Sequence, residues 1–158
     1  MTKLRTGRQK YYNIFSHFYD LFIRLHAHNY RNETRRFLVD SAPLEDKRQA
    51  KVLDLCCGTG SVIHSFIERF SDIFAIGYDF SIGMLHKAKE KDISDKVIYI
   101  LGDAASLSFV DNQFDFVCCS HALYELKWQR STIILIKRSR KKRPSIKVDS
   151  NARLFRVI

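Results

Sequence analysis

The stretch that decides the fold is Lys51-Val52-Leu53-Asp54-Leu55-Cys56-Cys57-Gly58-Thr59-Gly60. A short apolar run, typical of a buried strand, leads into a small glycine-rich turn. After the turn, Val62, Phe66 and Phe70 are spaced as on one face of a helix. Because only glycine lets a ligand approach the backbone closely, a strand, a tight turn and a helix N-terminus in this order predict a cofactor-binding loop.

Three further apolar runs predict three more strands. They are residues 73–79, 96–101 and 114–120, and the segments between the first three strands carry helical patterns. A helix is expected from the glycine turn to about Arg69, and Ser81 is placed to cap the next helix. Strands that alternate with helices predict an α/β fold with a mainly parallel sheet.

The residues before the first strand are expected to form two helices. In the first helix, five apolar residues recur at spacings of four, three, four and three and so share one face: Tyr11, Phe15, Phe18, Phe22 and Leu25. We expect this face to lie against the rest of the protein, and residues 1–10 to fray. The second helix is expected around residues 30–39, before Pro43.

Length and composition restrict the class of protein. The 158 residues suffice for one domain with a hydrophobic core, and 46% hydrophobic with 28% charged residues is typical of a soluble globular chain. No apolar run is long enough to span a bilayer, and His17, Asp20 and His26 interrupt the stretch that a signal peptide would need. We therefore expect a cytoplasmic protein whose four cysteines are free thiols.

The net charge of +10 is confined to the C-terminal end. Residues 1–126 hold 16 basic and 16 acidic residues, whereas residues 127–158 hold 11 basic residues and one acid. The basic run at residues 138–143 could bind phosphates, but it lacks the interleaved aromatic residues of a nucleic-acid module. We therefore do not expect nucleic acid to be the partner.

Polar residues mark the ends of all four predicted strands: Asp54, Asp79, Asp103 and Ser120. Ligands of open parallel sheets bind at the carboxyl ends of the strands. Three carboxylates there would repel a phosphate and favour a ligand that offers hydroxyls, amines and a positive charge. The dinucleotide fingerprint is also absent, because its third glycine would stand at position 63, which is Ile63.

Taken in order, these motifs resemble those of class I S-adenosylmethionine (SAM)-dependent methyltransferases, of the branch that includes the ubiquinone and menaquinone biosynthesis C-methyltransferases. The resemblance covers residues 11–126 and rests on six pieces: Tyr19-Asp20, Val52–Gly60, Asp79-Phe80-Ser81-x-x-Met84-Leu85, Gly102-Asp103-Ala104, Phe109-x-Asp111-Asn112-x-Phe114-Asp115 and Ser120-His121-Ala122-Leu123. It implies a Rossmann-like α/β fold, SAM as the cofactor, and methyl transfer to a small-molecule acceptor such as a quinone or phenolic ring.

The resemblance also implies which residues bind the methionyl and ribose parts of SAM. The Gly58-Thr59-Gly60 loop would contact the methionyl part, while Asp54 supports the loop and binds the cofactor's amino group. Asp79 would accept hydrogen bonds from the ribose hydroxyls. Phe80 and Met84, in the same motif, are further cofactor-binding candidates.

Three more residues complete the implied cofactor site. Asp103 and the amide of Ala104 would fix the adenine edge, and Ser120 would lie beside the sulfonium. Cys56 is a departure, since many relatives have the first glycine of the motif at this place. Cysteine is small, so we expect the departure to have little effect.

Methyl transfer itself needs mainly alignment, because the sulfonium is already activated. Where the acceptor is a phenolic carbon or oxygen, a general base can help, and His121 is the candidate. Tyr19 and Tyr124 are candidates for contacts on the substrate side. The cysteine pairs lack the spacing of zinc ligands, so no metal is expected.

We expect the single domain, residues 1–158, to comprise a helical lid at 1–45, a SAM-binding core at 46–126 and a divergent basic tail at 127–158. Beyond Leu126 the resemblance fades, and the family's last strands are missing, so the sequence predicts a chain shortened after the fourth or fifth strand. Three alternatives remain open. The chain could be a shortened or frame-disrupted product, a catalytically impaired SAM-binding fragment whose tail contacts nucleic acid or an anionic surface, or a minimal enzyme completed by a partner chain.

Overall fold

The computed structural model describes residues 3–26, 28–44, 48–92, 94–104, 106–110 and 112–120. The predicted second, third and fourth strands are confirmed to within two residues at either end. The elements in chain order are α1 (Lys3–His26), α2 (His28–Asp40), β1 (Ala50–Leu55), α3 (Ser61–Arg69), β2 (Ile73–Asp79), α4 (Ile82–Lys91), β3 (Val97–Leu101) and β4 (Phe116–Cys119). The predicted basic tail, residues 127–158, lies outside the described residues.

The described strands form one parallel sheet in the order β3-β2-β1-β4. The chain steps outward from β1 to β3 on one side and then crosses to β4 on the other side of β1. The strand order therefore reverses between β1 and β4, which is where open α/β sheets bind their ligands. In the register, Asp54 of β1 lies between Gly77 of β2 and Cys118 of β4. The prediction of a Rossmann-like, mainly parallel α/β fold is confirmed.

The central strand β1 is buried almost throughout. Val52, Leu53 and Leu55 have no exposed surface. One hydrophobic cluster lies on the side of α2 and α3 and includes Phe66 and Phe116; a second contains Leu53, Leu55 and Phe114. Burial on both faces explains why the strand sequences read as continuous apolar runs instead of alternating patterns.

The first helix differs from the sequence prediction in two ways. It begins at Lys3, so the expectation that residues 1–10 fray is wrong for residues 3–10. Its apolar face does not pack against the protein, because Tyr11, Phe18 and Leu25 are 57%, 63% and 67% exposed. No helix among the described residues is long and apolar enough to cross a membrane.

A polar face of α1 makes the contact with the rest of the protein. The Asn13 side-chain oxygen accepts hydrogen bonds from Ser81 Oγ at 2.7 Å and from the Gly83 backbone N–H at 3.1 Å. The absence of a side chain at Gly83 permits this approach, since a Cβ there would lie 2.7 Å from the Asn13 carbonyl oxygen. Gln9 Nε2 also donates to the Phe80 carbonyl at 2.7 Å. The turn between β2 and α4 offers polar backbone groups, and a polar helix face satisfies them.

Candidate functional site

The loop after β1 turns sharply into α3. Gly58 and Gly60 have φ angles of 55° and 77°, in the left-handed region that glycine adopts without steric penalty. Gly60 is the N-cap of α3 and provides no side-chain cap. The first backbone N–H groups of an α-helix have no intrahelical partner, so this end of α3 favours an oxygen-bearing ligand.

Cys56 also lies in the left-handed region, with a φ angle of 57°. A residue with a Cβ pays about 1–2 kcal/mol for this conformation. The expectation of a small effect rested on the size of cysteine and did not include the cost of this backbone conformation. Glycine suits this position because of its φ angle.

Asp54 is the most unusual ionisable group at the site. It is 1% exposed, and its Oδ1 accepts a hydrogen bond from Cys118 Sγ at 3.5 Å. Among the described residues, its Oδ2 is buried without a hydrogen-bond partner. Burial raises the pKa of Asp54 to about 7; the Cys118 thiol lowers it, and the nearby Asp79 carboxylate raises it further. A buried carboxylate with one unsatisfied oxygen is suited to a ligand with a cationic hydrogen-bond donor.

A cavity of about 70 Å³ lies beside Asp54. It brings together residues that were predicted as site residues, from four parts of the chain, and others that were not. The lining residues are Tyr19, Asp20, Arg35, Asp54, Cys56, Cys57, Gly58, Thr59, Ser61, Val62 and Ser120. Complete small-molecule sites usually measure about 300–1,000 Å³. This volume therefore suits only one end of a ligand, of about the size of an amino-acid head group.

Asp79 ties two turns of the site together. It is 5% exposed, its Oδ2 accepts a hydrogen bond from the Gly58 N–H, and its Oδ1 accepts one from the Ser81 N–H, both at 2.9 Å. The carboxylate thus joins the glycine loop to the start of α4. Its expected contact with ribose hydroxyls stays a prediction, and in this structure both of its oxygens already accept backbone amides.

Phe80 and Met84 are placed next to Asp79 but away from the cavity lining. The Phe80 ring packs edge-on against Tyr12, with centroids 5.6 Å apart. Met84 is 2% exposed, and its N–H donates to Ser81 Oγ at 3.3 Å, which confirms Ser81 as the N-cap of α4.

The segment after β3 reaches the same edge of the sheet. The Gly102 N–H donates to the Asp79 carbonyl at 2.8 Å, so Asp103 follows directly beside the end of β2. Asp103 is half-buried and Ala104 is 4% exposed. The structure thus brings the three strand-end acids to one edge, although Asp103 and Ala104 do not line the 70 Å³ cavity.

Asp20 is a site residue to which sequence reasoning gave no role. Thr59 Oγ1 donates to Asp20 Oδ1 at 2.8 Å, and Lys91 Nζ lies 2.5 Å from Asp20 Oδ2. Lys91 Nζ also donates to the Thr59 carbonyl at 3.3 Å. Asp20 therefore holds α1 on the glycine loop. The Tyr19-Asp20 pair was the available signal, whereas Arg35, which also lines the cavity, had none beyond its charge.

The remaining predicted residues fall into two groups. His121 and Tyr124 lie outside the described residues, so their expected roles stay predictions. All four cysteines are free, as expected, and a bridge between the pairs is not formed.

The chain has recognisable relatives among known proteins. A family model described as a methyltransferase domain matches residues 52–142. The demethylmenaquinone methyltransferase of Paenarthrobacter aurescens is 38% identical over 89 residues, which are 56% of this chain and 33% of that protein. The chain spans about one third of the length of the curated relatives it matches.

Solved structures share the fold of this chain. In the complex between the Haloferax volcanii Trm112 methyltransferase activator and a methyltransferase, 55% of one chain superposes on 82% of this chain with a TM-score of 0.60 and 21% identity. The YcgJ protein from Bacillus subtilis gives a TM-score of 0.57 at 25% identity, over 70% of this chain and 47% of its own. The first of these similarities concerns the fold alone.

Proposed function

Because the chain belongs to the methyltransferase domain family, whose class I members use SAM as cofactor, we propose that it binds SAM at the carboxyl edge of its sheet. We further propose that it transfers the methyl group to a small-molecule acceptor. The observation that carries the proposal is the buried Oδ2 of Asp54 beside the glycine loop, which has no hydrogen-bond partner among the residues that the structure describes.

The Asp54 carboxylate fits the amino group of SAM. An ammonium would supply both the missing hydrogen bond and the positive charge that the buried carboxylate lacks. The cavity of about 70 Å³ suits the amino-acid end of the cofactor. The guanidinium of Arg35 and the backbone N–H of Thr59, in the same lining, would bind the cofactor's carboxylate.

The ribose and adenine would extend along the strand ends toward Asp79, Asp103 and Ala104. This placement requires Asp79 to exchange a backbone amide for a ribose hydroxyl, or to accept both. Phe80 and Met84 would then stabilise the turn between β2 and α4, next to which the ribose would lie. This placement of the ribose and adenine rests on the parallel sheet, in which β2 and β3 end at the same edge as β1.

When bound, SAM supplies an activated methyl group. The chain's own residues then have to orient that group toward the acceptor, which is the main source of rate enhancement in such a reaction. Ser120 and Tyr19 line the cavity on the sides of β4 and α1, so we place the acceptor next to these two residues, outside the space that the amino-acid end of SAM would fill. His121, the next residue after Ser120, is our proposed general base.

We propose a quinone or phenolic ring as the acceptor class. The support is the name of the relatives, demethylmenaquinone methyltransferase, which share 38% identity with part of this chain. Aromatic side chains on the acceptor side, such as Tyr19, would suit a flat ring.

The test is calorimetric titration of the full chain with SAM. Asp54→Asn should weaken binding about 10- to 100-fold, because a hydrogen bond to a charged group contributes about 1.5–3 kcal/mol. Asp79→Asn should weaken it as well. The matched control is Asp72→Asn, which alters an exposed acid at the opposite end of β2 and should leave affinity unchanged. Equal affinity in the wild type and Asp54→Asn would refute the assignment of the amino group.

Methyl transfer requires a separate measurement. Incubation with methyl-labelled SAM and simple phenols or quinones should give labelled product. If the chain binds SAM but transfers no methyl group to any such acceptor, the proposed cofactor site would be retained and the proposed acceptor class would be rejected.

A further inference from the structure

The outward face of α1 is a continuous apolar surface. Six large apolar residues on it are 45–70% exposed: Tyr11, Ile14, Phe18, Leu21, Phe22 and Leu25. We call these six residues the outer stripe. They make up six of the eleven exposed large apolar residues in the described part of the chain, so the exposure is concentrated on one helix. Concentrated apolar exposure of this kind marks an interaction surface.

The outer stripe cannot turn inward without breaking the site. On the opposite face, Asn13 accepts hydrogen bonds from the turn before α4, and Asp20 is bound to Thr59 and Lys91. Ser16, on the same inner face, is only 2% exposed. The polar contacts therefore fix the rotation of α1 about its axis and keep the outer stripe facing solvent.

The charges of α1 indicate what the stripe contacts. The helix has five basic residues and one acid, Asp20, which is already paired with Lys91. Four of the basic residues lie between Lys3 and Lys10, and the first turn has no acid. Positive charge at a helix N-terminus opposes the helix dipole. A sequence that breaks a local stability rule in this way indicates a functional demand at the same place.

Two of these basic residues border the outer stripe. At about 100° per residue, Arg8 and Lys10 project on opposite sides of the line through Tyr11 and Phe18. Both side chains are exposed. An apolar stripe with cationic edges is the pattern of a helix that lies in the interface of an anionic membrane.

We propose that α1 is a membrane-surface helix that binds anionic phospholipid bilayers through the outer stripe, with Arg8 and Lys10 contacting the headgroups. The helix lies on the bilayer and does not cross it. A second copy of the chain is a poorer occupant, because packing two such stripes together would bring two basic helices into contact. The observations behind this proposal do not depend on whether the protein binds SAM.

The test is co-sedimentation of the full chain with vesicles of phosphatidylglycerol or of phosphatidylcholine. We expect binding to phosphatidylglycerol that weakens with added salt, and much weaker binding to phosphatidylcholine. Phe18→Ser should reduce phosphatidylglycerol binding about tenfold, because burying much of a phenylalanine contributes about 1.5–3 kcal/mol. Lys10→Glu should reduce binding to phosphatidylglycerol and leave the phosphatidylcholine result unchanged.

The matched control is Phe37→Ser, which removes an exposed phenylalanine from α2, outside the outer stripe. It should bind vesicles like the wild type, and all these variants except Lys10→Glu keep the same basic residues. Equal binding by Phe18→Ser and the wild type would overturn the proposal. A second result would also overturn it: the wild type binds no vesicles but self-associates with rising concentration, and Phe18→Ser abolishes this self-association. The outer stripe would then be an interface between copies of the chain.

Discussion

Replacing Asp54 with asparagine should make the folded protein increasingly stable relative to the wild type as the pH rises from 5 to 8. The variant keeps the size of the side chain and removes its titration. The reason lies in the burial of the carboxyl group, which has one oxygen on the Cys118 thiol and the other without a partner among the described residues. Ionising such a group in the folded state is costly, whereas in the unfolded chain it ionises in water.

The size of the effect follows from the pKa difference. The pKa of Asp54 is about 7 in the folded protein, against an ordinary value of 3.8. The folded state therefore binds more protons, and stability falls as the pH rises from 3.8 to 7, then stays constant. At 1.36 kcal/mol per pKa unit, the full loss is about 4 kcal/mol, of which about 3 kcal/mol falls between pH 5 and pH 8.

Urea unfolding of both proteins at several pH values measures this loss. We expect the free energy of unfolding of Asp54→Asn to gain about 3 kcal/mol on that of the wild type between pH 5 and pH 8. For a domain of this size the corresponding change in midpoint is roughly 1–3 M urea. Taking the difference between the two proteins cancels the titrating groups that do not interact with Asp54, such as His64, whose pKa is lowered by desolvation.

Asp72→Asn is the control, because it makes the same substitution at an exposed acid. Parallel curves for Asp54→Asn and the wild type would refute the reasoning, since they would show that Asp54 ionises in the folded state at no cost. A second readout uses the cofactor. If an ammonium pairs with Asp54, SAM binding near pH 6.5 should release a proton from the wild type and none from Asp54→Asn, which calorimetry in buffers of different ionisation enthalpy detects.

Three further substitutions test the backbone and the inner face of α1. Cys56→Gly should raise the free energy of unfolding by about 1 kcal/mol in a urea titration, because it relieves a side chain held at a φ angle of 57°; no gain would mean that the turn is not strained. Gly83→Ala should displace α1 and speed limited proteolysis within this helix, because the new Cβ would lie 2.7 Å from a backbone oxygen. The control is Gly7→Ala, whose new Cβ would have nothing within 4 Å and which should leave cleavage unchanged or slow it. Asp20→Asn should weaken SAM binding severalfold in calorimetry by loosening the glycine loop, and an affinity equal to that of the wild type would show that the contact of Asp20 with Thr59 does not support the site.

The sheet could be predicted from the sequence because its signals are local. Each strand is a short apolar run, and the turn after β1 needs its glycines for their φ angles. The convergence of Asp54, Asp79 and Asp103 also followed, since parallel strands bring their carboxyl ends to one edge. Topology thus carried the prediction of which residues lie at the edge.

Local patterns could not supply the details of the site. Helical spacing identified the apolar face of α1, but the rule that apolar faces point inward placed that face on the wrong side. The inner face carries Gln9, Asn13, Ser16 and Asp20 at spacings of four, three and four, and this equally regular polar pattern was available in the sequence. Its significance depends on hydrogen-bonding groups 68 to 71 residues further along the chain, which no local pattern contains.

The polar inner face of α1 connects the cofactor edge to the outer stripe. Asp79 accepts the Ser81 N–H, Ser81 donates its hydroxyl to Asn13, and Asn13 fixes the rotation of α1. A ribose that binds Asp79 would compete with the Ser81 N–H for this carboxylate. It would thereby change the contact between the turn before α4 and α1. A bilayer that binds the outer stripe would act on the same chain of bonds from the other end. If both proposals hold, any change that SAM causes in the affinity for a bilayer must be matched by an equal change that the bilayer causes in the affinity for SAM, because linkage is reciprocal.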